Sequence, residues 1–165
     1  METATVHSEK ELLVKIVISN WELQNKRIDA LLLKLSDEQI SSEVSPARNS
    51  GFYLLGHLTA VSDGMITLLG LGEKLYPELE NIFIKNPDQS GLERPSLSQV
   101  KAYWNHVNST LASYFSEMRT EEWFAPHTAI SAEDFAKEPH RNKLNILLNR
   151  TNHEAYHLGQ LIFLK

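Results

Sequence analysis

The chain has 165 residues, a formal net charge of −5 and no cysteine. That length supports one domain, residues 1–165, with a real core, and an acidic balance without a basic stripe argues against a nucleic-acid partner. The absence of cysteine removes disulfides, thiolate ligands and any protein thiol nucleophile, leaving imidazole and carboxylate as candidate metal ligands.

The N-terminus, METATVHSEKELLVK, lacks the basic start and apolar run of a signal peptide, and a cytoplasmic protein is the simplest expectation. The first helical segment repeats Leu13, Ile16, Val17, Trp21, Ile28, Leu31, Leu32 and Leu35 at intervals of three and four residues, which defines one apolar stripe. Asn20 and Gln24 fall on that stripe and mark a possible polar pocket, because buried amides need partners.

A second segment starts after Ser50, an N-cap type, and runs through FYLLGHLTAVSDGMITLLG to Gly70 or Gly72. It is apolar on most sides, but His57, Ser62 and Asp63 interrupt it, so it reads as a buried helix with no membrane partner. The third opens with the capping-box pattern Ser96-Leu97-Ser98-Gln99 and carries Leu97, Val100, Trp104, Val107, Leu111, Phe115 and Met118 on one face. The fourth is expected to begin around Pro139 and to continue to the C-terminus. No stretch alternates with period two.

These elements predict an all-α four-helix bundle. The connection from Gly72 to Pro95 is far longer than a helical hairpin requires. A crossover there predicts parallel second and third helices and an up, down, down, up order. The segment from Thr120 to Glu138 is also long and is expected to hold a short helix near Glu121 to Phe124.

His153 and His157, four residues apart, project from one side of the last helix and can converge on a single cation. A third ligand is sought among the remaining histidines. His7 lies near the chain end, His127 in a loop, and His140 in the first turn of the last helix, too far along the axis. His106 falls roughly 135° from the centre of its helix's apolar stripe and should face water. His57 sits among apolar and small residues, so it is the one able to meet the pair, although by itself a packed core histidine is the simpler reading. His153-Glu-Ala-Tyr-His157 also matches the His-Glu-x-x-His pattern of zinc proteases. Such proteases mostly take a third ligand downstream, and the eight residues after His157 contain no histidine, aspartate or glutamate.

GHLTAVSD with His57, followed by NHEAYHLGQL, resembles the DinB/YfiT-like superfamily, most specifically in the Gly159-Gln160 pair after the histidines. The resemblance spans nearly the whole chain. It implies a four-helix bundle in which His57, His153 and His157 bind a divalent metal, often as a homodimer, with relatives that are thiol-dependent transferases or isomerases.

Three imidazoles leave a divalent metal open positions, and the ion lowers the pKa of a coordinated water or thiol. Zinc or nickel is the first expectation, with iron and manganese as further candidates. The leading reading is activation of a low-molecular-weight thiol toward an electrophilic small-molecule substrate. A metal-dependent hydrolase using water, or a non-catalytic module braced by the ion, is the alternative. Around the ligands, Asn149 and Gln160 flank the histidines along the helix, Tyr53 is one turn before His57, and Glu154 is placed for a supporting or packing role.

Overall fold

The computed structural model describes residues 8–165. It is all-helical, and among the described residues no strand forms, only two isolated bridges. Helix α1 spans Glu9–Leu32, and Ser8 and Glu11 close a reciprocal capping box at its start. A short α2, Asp37–Ser41, leads to α3, Gly51–Leu68, capped by the Ser50 hydroxyl. Gly70 adopts φ 69° after α3, the Gly70 N–H donates to the Thr67 carbonyl and the Leu71 N–H to the Ile66 carbonyl, which closes the helix with a Schellman motif. Then come α4, Leu79–Phe83, and α5, Leu97–Glu117, which starts with the expected Ser96–Gln99 capping box.

The connection after α5 holds a 3₁₀ turn at Thr120–Phe124, where a short helix was expected, and α6, Ala132–Lys137. Helix α7 spans Lys143–Leu161. Its start differs from the expectation at Pro139. Asn142 is the N-cap, its side chain accepting from the Asn145 N–H, and Pro139 lies in the preceding turn, where its carbonyl accepts from Asn142. His140 is therefore an exposed loop residue outside the helix.

The expected apolar stripe is buried from Val17 onward, through Trp21, Ile28, Leu31, Leu32 and Leu35, and departs from the expectation only at its N-terminal end. Leu13 and Ile16 are 46% and 57% exposed, while Val14, Val17, Trp21, Gln24, Ile28 and Leu31 face inward. Val14, Trp21, Ile28 and Leu35 repeat every seven residues, with Val17, Gln24 and Leu31 between them, the spacing of a seam between closely aligned helices. Near the start of α1 apolar residues lie on both sides of this seam, so periodicity alone could not exclude Leu13 and Ile16 from the buried face.

The core divides into two connected regions. One gathers Leu54, Leu55, Leu58, Phe83 and Trp104; the other gathers Trp21, Met65, Leu111, Phe115 and Trp123. Trp21 meets Phe115 edge to face at 4.9 Å, and the Trp104 indole donates to Asp29 at 2.8 Å, so α1 is tied to α5 at two points.

The segment from 72 to 95 packs back on α3 through specific bonds. Asp63, 1% exposed, accepts from the Leu75 and Tyr76 N–H groups at 2.8 and 2.9 Å. Further along, the Tyr53 hydroxyl donates to the Asn86 carbonyl, and Asp88 accepts from the Ser50 N–H. Phe83 is fully buried between Phe52 and Tyr53, at ring separations of 5.9 and 5.8 Å. An added Cβ on Gly56 would lie 2.5 Å from that ring, so α4 seats against α3 only because residue 56 has no side chain.

Candidate metal centre

His57 projects from α3, and His153 and His157 from successive turns of α7. His153 Nε2 lies 3.2 Å from His57 Nε2 and 2.9 Å from His157 Nε2. The rings stand nearly perpendicular in pairs, at 74°, 74° and 81°, so three edges point at one another.

Their hydrogen bonds decide what those edges carry. The His57 Nδ1–H donates to the Phe83 carbonyl at 2.8 Å, and the His157 Nδ1–H donates to Gln160 Oε1 at 2.7 Å. Both tautomers are thereby set, and both Nε2 atoms present lone pairs toward His153. Crowded lone pairs in a half-buried site repel unless a proton or a cation lies between them. The observed separations approach the spacing of about 3.3 Å between nitrogens that are 2.0–2.1 Å from a tetrahedral cation. The donor set thus fits a divalent metal, and these three residues form the described cluster able to hold one. His153 Nδ1 is buried without a partner, so this imidazole alone lacks a fixing acceptor.

Burial lowers the proton affinity of all three imidazoles. For His57 burial dominates, the Phe83 carbonyl opposes it and Arg150 adds to it. His153 falls to about 4 through burial and through its neighbours His157, His57 and Arg150. His157 is also lowered by burial, against the pull of Gln160. At neutral pH the three imidazoles are neutral, and protons would not compete with a cation.

Several residues expected near the centre lie elsewhere. Asn20 is exposed on α1, beside the exposed Ile16, and donates to the Ile16 carbonyl. Gln24 is buried, but its Oε1 has no partner and the residue stands apart from the cavity beside the histidines. Tyr53 stacks on His57 at 6.4 Å, yet its hydroxyl is committed to Asn86 and offers nothing to a pocket. Asn149 is exposed, because the line from His157 through His153 runs outward along α7. Glu154 is 2% exposed, and burial pushes its carboxyl up to about 8 while Trp21 and Ser62 pull it back. It belongs to the core, while Gln160 joins the centre as an orienting acceptor.

Beside the histidines opens a cavity of about 560 Å³, lined by His57, His153 and Arg150 with apolar walls from Ala60, Val61 and Leu68. Arg150 was not anticipated, though its position three residues before His153 and seven before His157 is the signal that puts it on their side of the helix. The Phe83 carbonyl was also unforeseen, since it depends on how the segment from 72 to 95 folds back on α3. His106 is exposed, as expected, with its Nδ1 2.7 Å from the Tyr76 hydroxyl. His127 accepts from the Ala129 N–H in its loop, and His7 lies outside the described residues.

Fold and donor set define an all-helical protein able to take a divalent cation between two of its long helices. Its sequence matches the DinB superfamily over residues 20–161, and the chain belongs to that superfamily. No curated protein matches it. Among the described residues, no helix is long and apolar enough to cross a membrane.

Proposed function

We propose that the protein is a metal-dependent enzyme in which His57, His153 and His157 hold a divalent ion, zinc or nickel before iron or manganese, and a small-molecule thiol reacts with an electrophilic substrate. The observation that carries this reading is the convergence of three neutral imidazole edges on one point beside an open cavity. A divalent ion there supplies Lewis acidity that lowers the pKa of a thiol or of water. The residues of the chain do the remaining work. Phe83 and Gln160 hold two imidazoles in the coordinating tautomer, and Ala60, Val61 and Leu68 give the substrate a dry wall. Because the chain has no cysteine, the thiol comes from outside. Its sulfur forms a bond to the electrophilic carbon as the bond to the leaving group breaks, and the thiol proton departs with that group.

The same reading arranges the four long helices α1, α3, α5 and α7 in up, down, down, up order, supported by the long segment between α3 and α5. It also takes the protein as a cytoplasmic homodimer. Leu13, Ile16 and Leu23 on α1 and Leu148 and Tyr156 on α7, with the following Phe163, are exposed apolar residues on two helices that pack together, a surface suited to a second copy. Sedimentation should give twice the chain mass, falling to one chain mass in Ile16→Glu/Tyr156→Glu.

The decisive test is elemental analysis of untagged protein beside His57→Ala and His153→Ala, followed by turnover of 1-chloro-2,4-dinitrobenzene with and without added thiol. About one divalent ion per chain, lost in both variants, with thiol-dependent turnover, is expected. Ester hydrolysis without thiol would move the reaction to water as nucleophile. Bound metal without either activity would leave a brace between α3 and α7, and no metal uptake would overturn the reading.

A further inference from the structure

Arg150 is half-buried on α7, one turn before His153 and within about 20° of His157 around the helix. It lines the cavity that His57 and His153 share. Its Nε is buried without a hydrogen-bond partner, and among the described residues no acidic side chain forms an ion pair with it. The acid that shares the cavity, Glu80, is already engaged by Lys74 and by Lys85. The hydroxyl of Thr128, another lining residue, donates to the Thr67 and Leu68 carbonyls. Lys74 and Glu80 cancel, so the cavity keeps one uncompensated positive charge against apolar walls.

A guanidinium cannot shed its proton to escape that situation, as a buried lysine can. Holding its buried Nε unpaired against apolar walls costs free energy that an arriving anion would offset. We propose that Arg150 anchors the carboxylate of a small organic acid in this cavity, with the acid's apolar body on Ala60, Val61, Leu68 and Ile84 and its far end toward the histidines. A planar carboxylate matches the guanidinium fork in a two-point pair, whereas a phosphate dianion would call for more donors than the cavity leaves free. A volume of about 560 Å³ accommodates a ligand of that class. The orientation toward the histidines rests on the proposed metal function; capture of the carboxylate does not. The carboxylate belongs either to the thiol or to its reaction partner.

Isothermal titration calorimetry separates these cases. Phenylacetate is compared with phenylacetamide, and 3-mercaptopropionate with 3-mercaptopropan-1-ol, on metal-loaded and chelator-treated protein. At least one carboxylate should bind about tenfold more tightly than its neutral match, with and without metal. A preference within the first pair assigns the carboxylate to the reaction partner, and within the second to the thiol. Arg150→Met should abolish the preference and Arg150→Lys should retain part of it, both with unchanged metal content and with a melting temperature no lower than that of the wild type. Gly64 lines the same cavity, and an added Cβ there meets no atom within 4 Å, so Gly64→Leu should fill the space and block acid and neutral match alike. No preference in either pair, a preference that survives in Arg150→Met, or undiminished binding in Gly64→Leu would overturn the proposal. A preference that vanishes on chelation would place the carboxylate on the metal and overturn it too, while leaving the metal reading intact.

Discussion

Replacing Gly56 by alanine tests how the segment from 72 to 95 controls the centre. The new Cβ would lie 2.5, 2.5 and 2.6 Å from three atoms of the Phe83 ring, where carbon atoms normally settle at about 3.5–4.0 Å. The ring would have to retreat by about 1 Å. It is fully buried, with Phe52 and Tyr53 against it, so the strain must spread into the backbone of α4. Overpacking of this kind costs about 1–3 kcal/mol, and removing a helical glycine returns up to about 1 kcal/mol. A net loss of about 1–2 kcal/mol is expected. The carbonyl of the same residue orients His57 at 2.8 Å, and a displacement of about 1 Å would carry that bond out of range. Losing such an orienting partner typically lowers metal affinity by about 10- to 100-fold.

The control is the same substitution two turns later in α3. Around Gly64 an added Cβ meets nothing within 4 Å, so Gly64→Ala should be neutral or stabilising by up to about 1 kcal/mol. Urea unfolding followed by circular dichroism, with chelator competition for zinc, reads both quantities. If Gly56→Ala matches Gly64→Ala in midpoint and retains wild-type zinc affinity, α4 slides freely and glycine does not seat the 72–95 segment.

Gln160→Leu removes the acceptor for the His157 Nδ1–H while keeping the helix, so zinc affinity should fall by about 10- to 100-fold in chelator competition with helicity unchanged; full affinity would show that Gln160 does not orient the ligand. Glu154→Gln should change the pH dependence of stability in chelator-treated protein. The folded carboxyl titrates at about 8 against 4.5 when free, so its contribution is fully present below about 4.5 and is lost as pH rises through 8. Glutamine has no proton to lose, and the variant's advantage over wild type should grow across that window toward a ceiling of about 5 kcal/mol. Urea midpoints at pH 5 and pH 9 measure it, and a difference that stays flat would mean that Glu154 is ionised and paired in the folded state.

Local chemistry made much of the fold legible. Ser50 and Ser96 cap α3 and α5 because a short hydroxyl beside the first N–H groups needs only its own neighbours. The histidine pair was legible for the same reason, since four residues along a helix fix a direction. His57 was found by its apolar surroundings. What failed depended on distant partners. Most of the inner face of α1 was legible, but its edge, which leaves Leu13, Ile16 and Asn20 outside, is set by Trp21 meeting Phe115 and by Asp29 meeting Trp104, contacts that periodicity does not contain. Pro139 and Asn142 both suit a helix start, and the bridge between Pro126 and Asn142 helps place the true one. Arg150 escaped notice because a long side chain takes its role from the cavity it reaches.

The placement of His57 matters more to the centre than that of its two partners. His153 and His157 keep their relation through α7 alone, whatever the rest of the molecule does. His57 must be brought to them across the α3–α7 packing, and its ring is aimed by a carbonyl from a third segment. That segment is fastened to α3 by Asp63 at one end and by Asp88 at the other. Loosening either fastening would leave α7 and its pair intact while misdirecting the third nitrogen. Affinity for a divalent ion should therefore report the seating of the 72–95 segment, while Arg150, one turn from His153, lines the cavity from the rigid side of the same site.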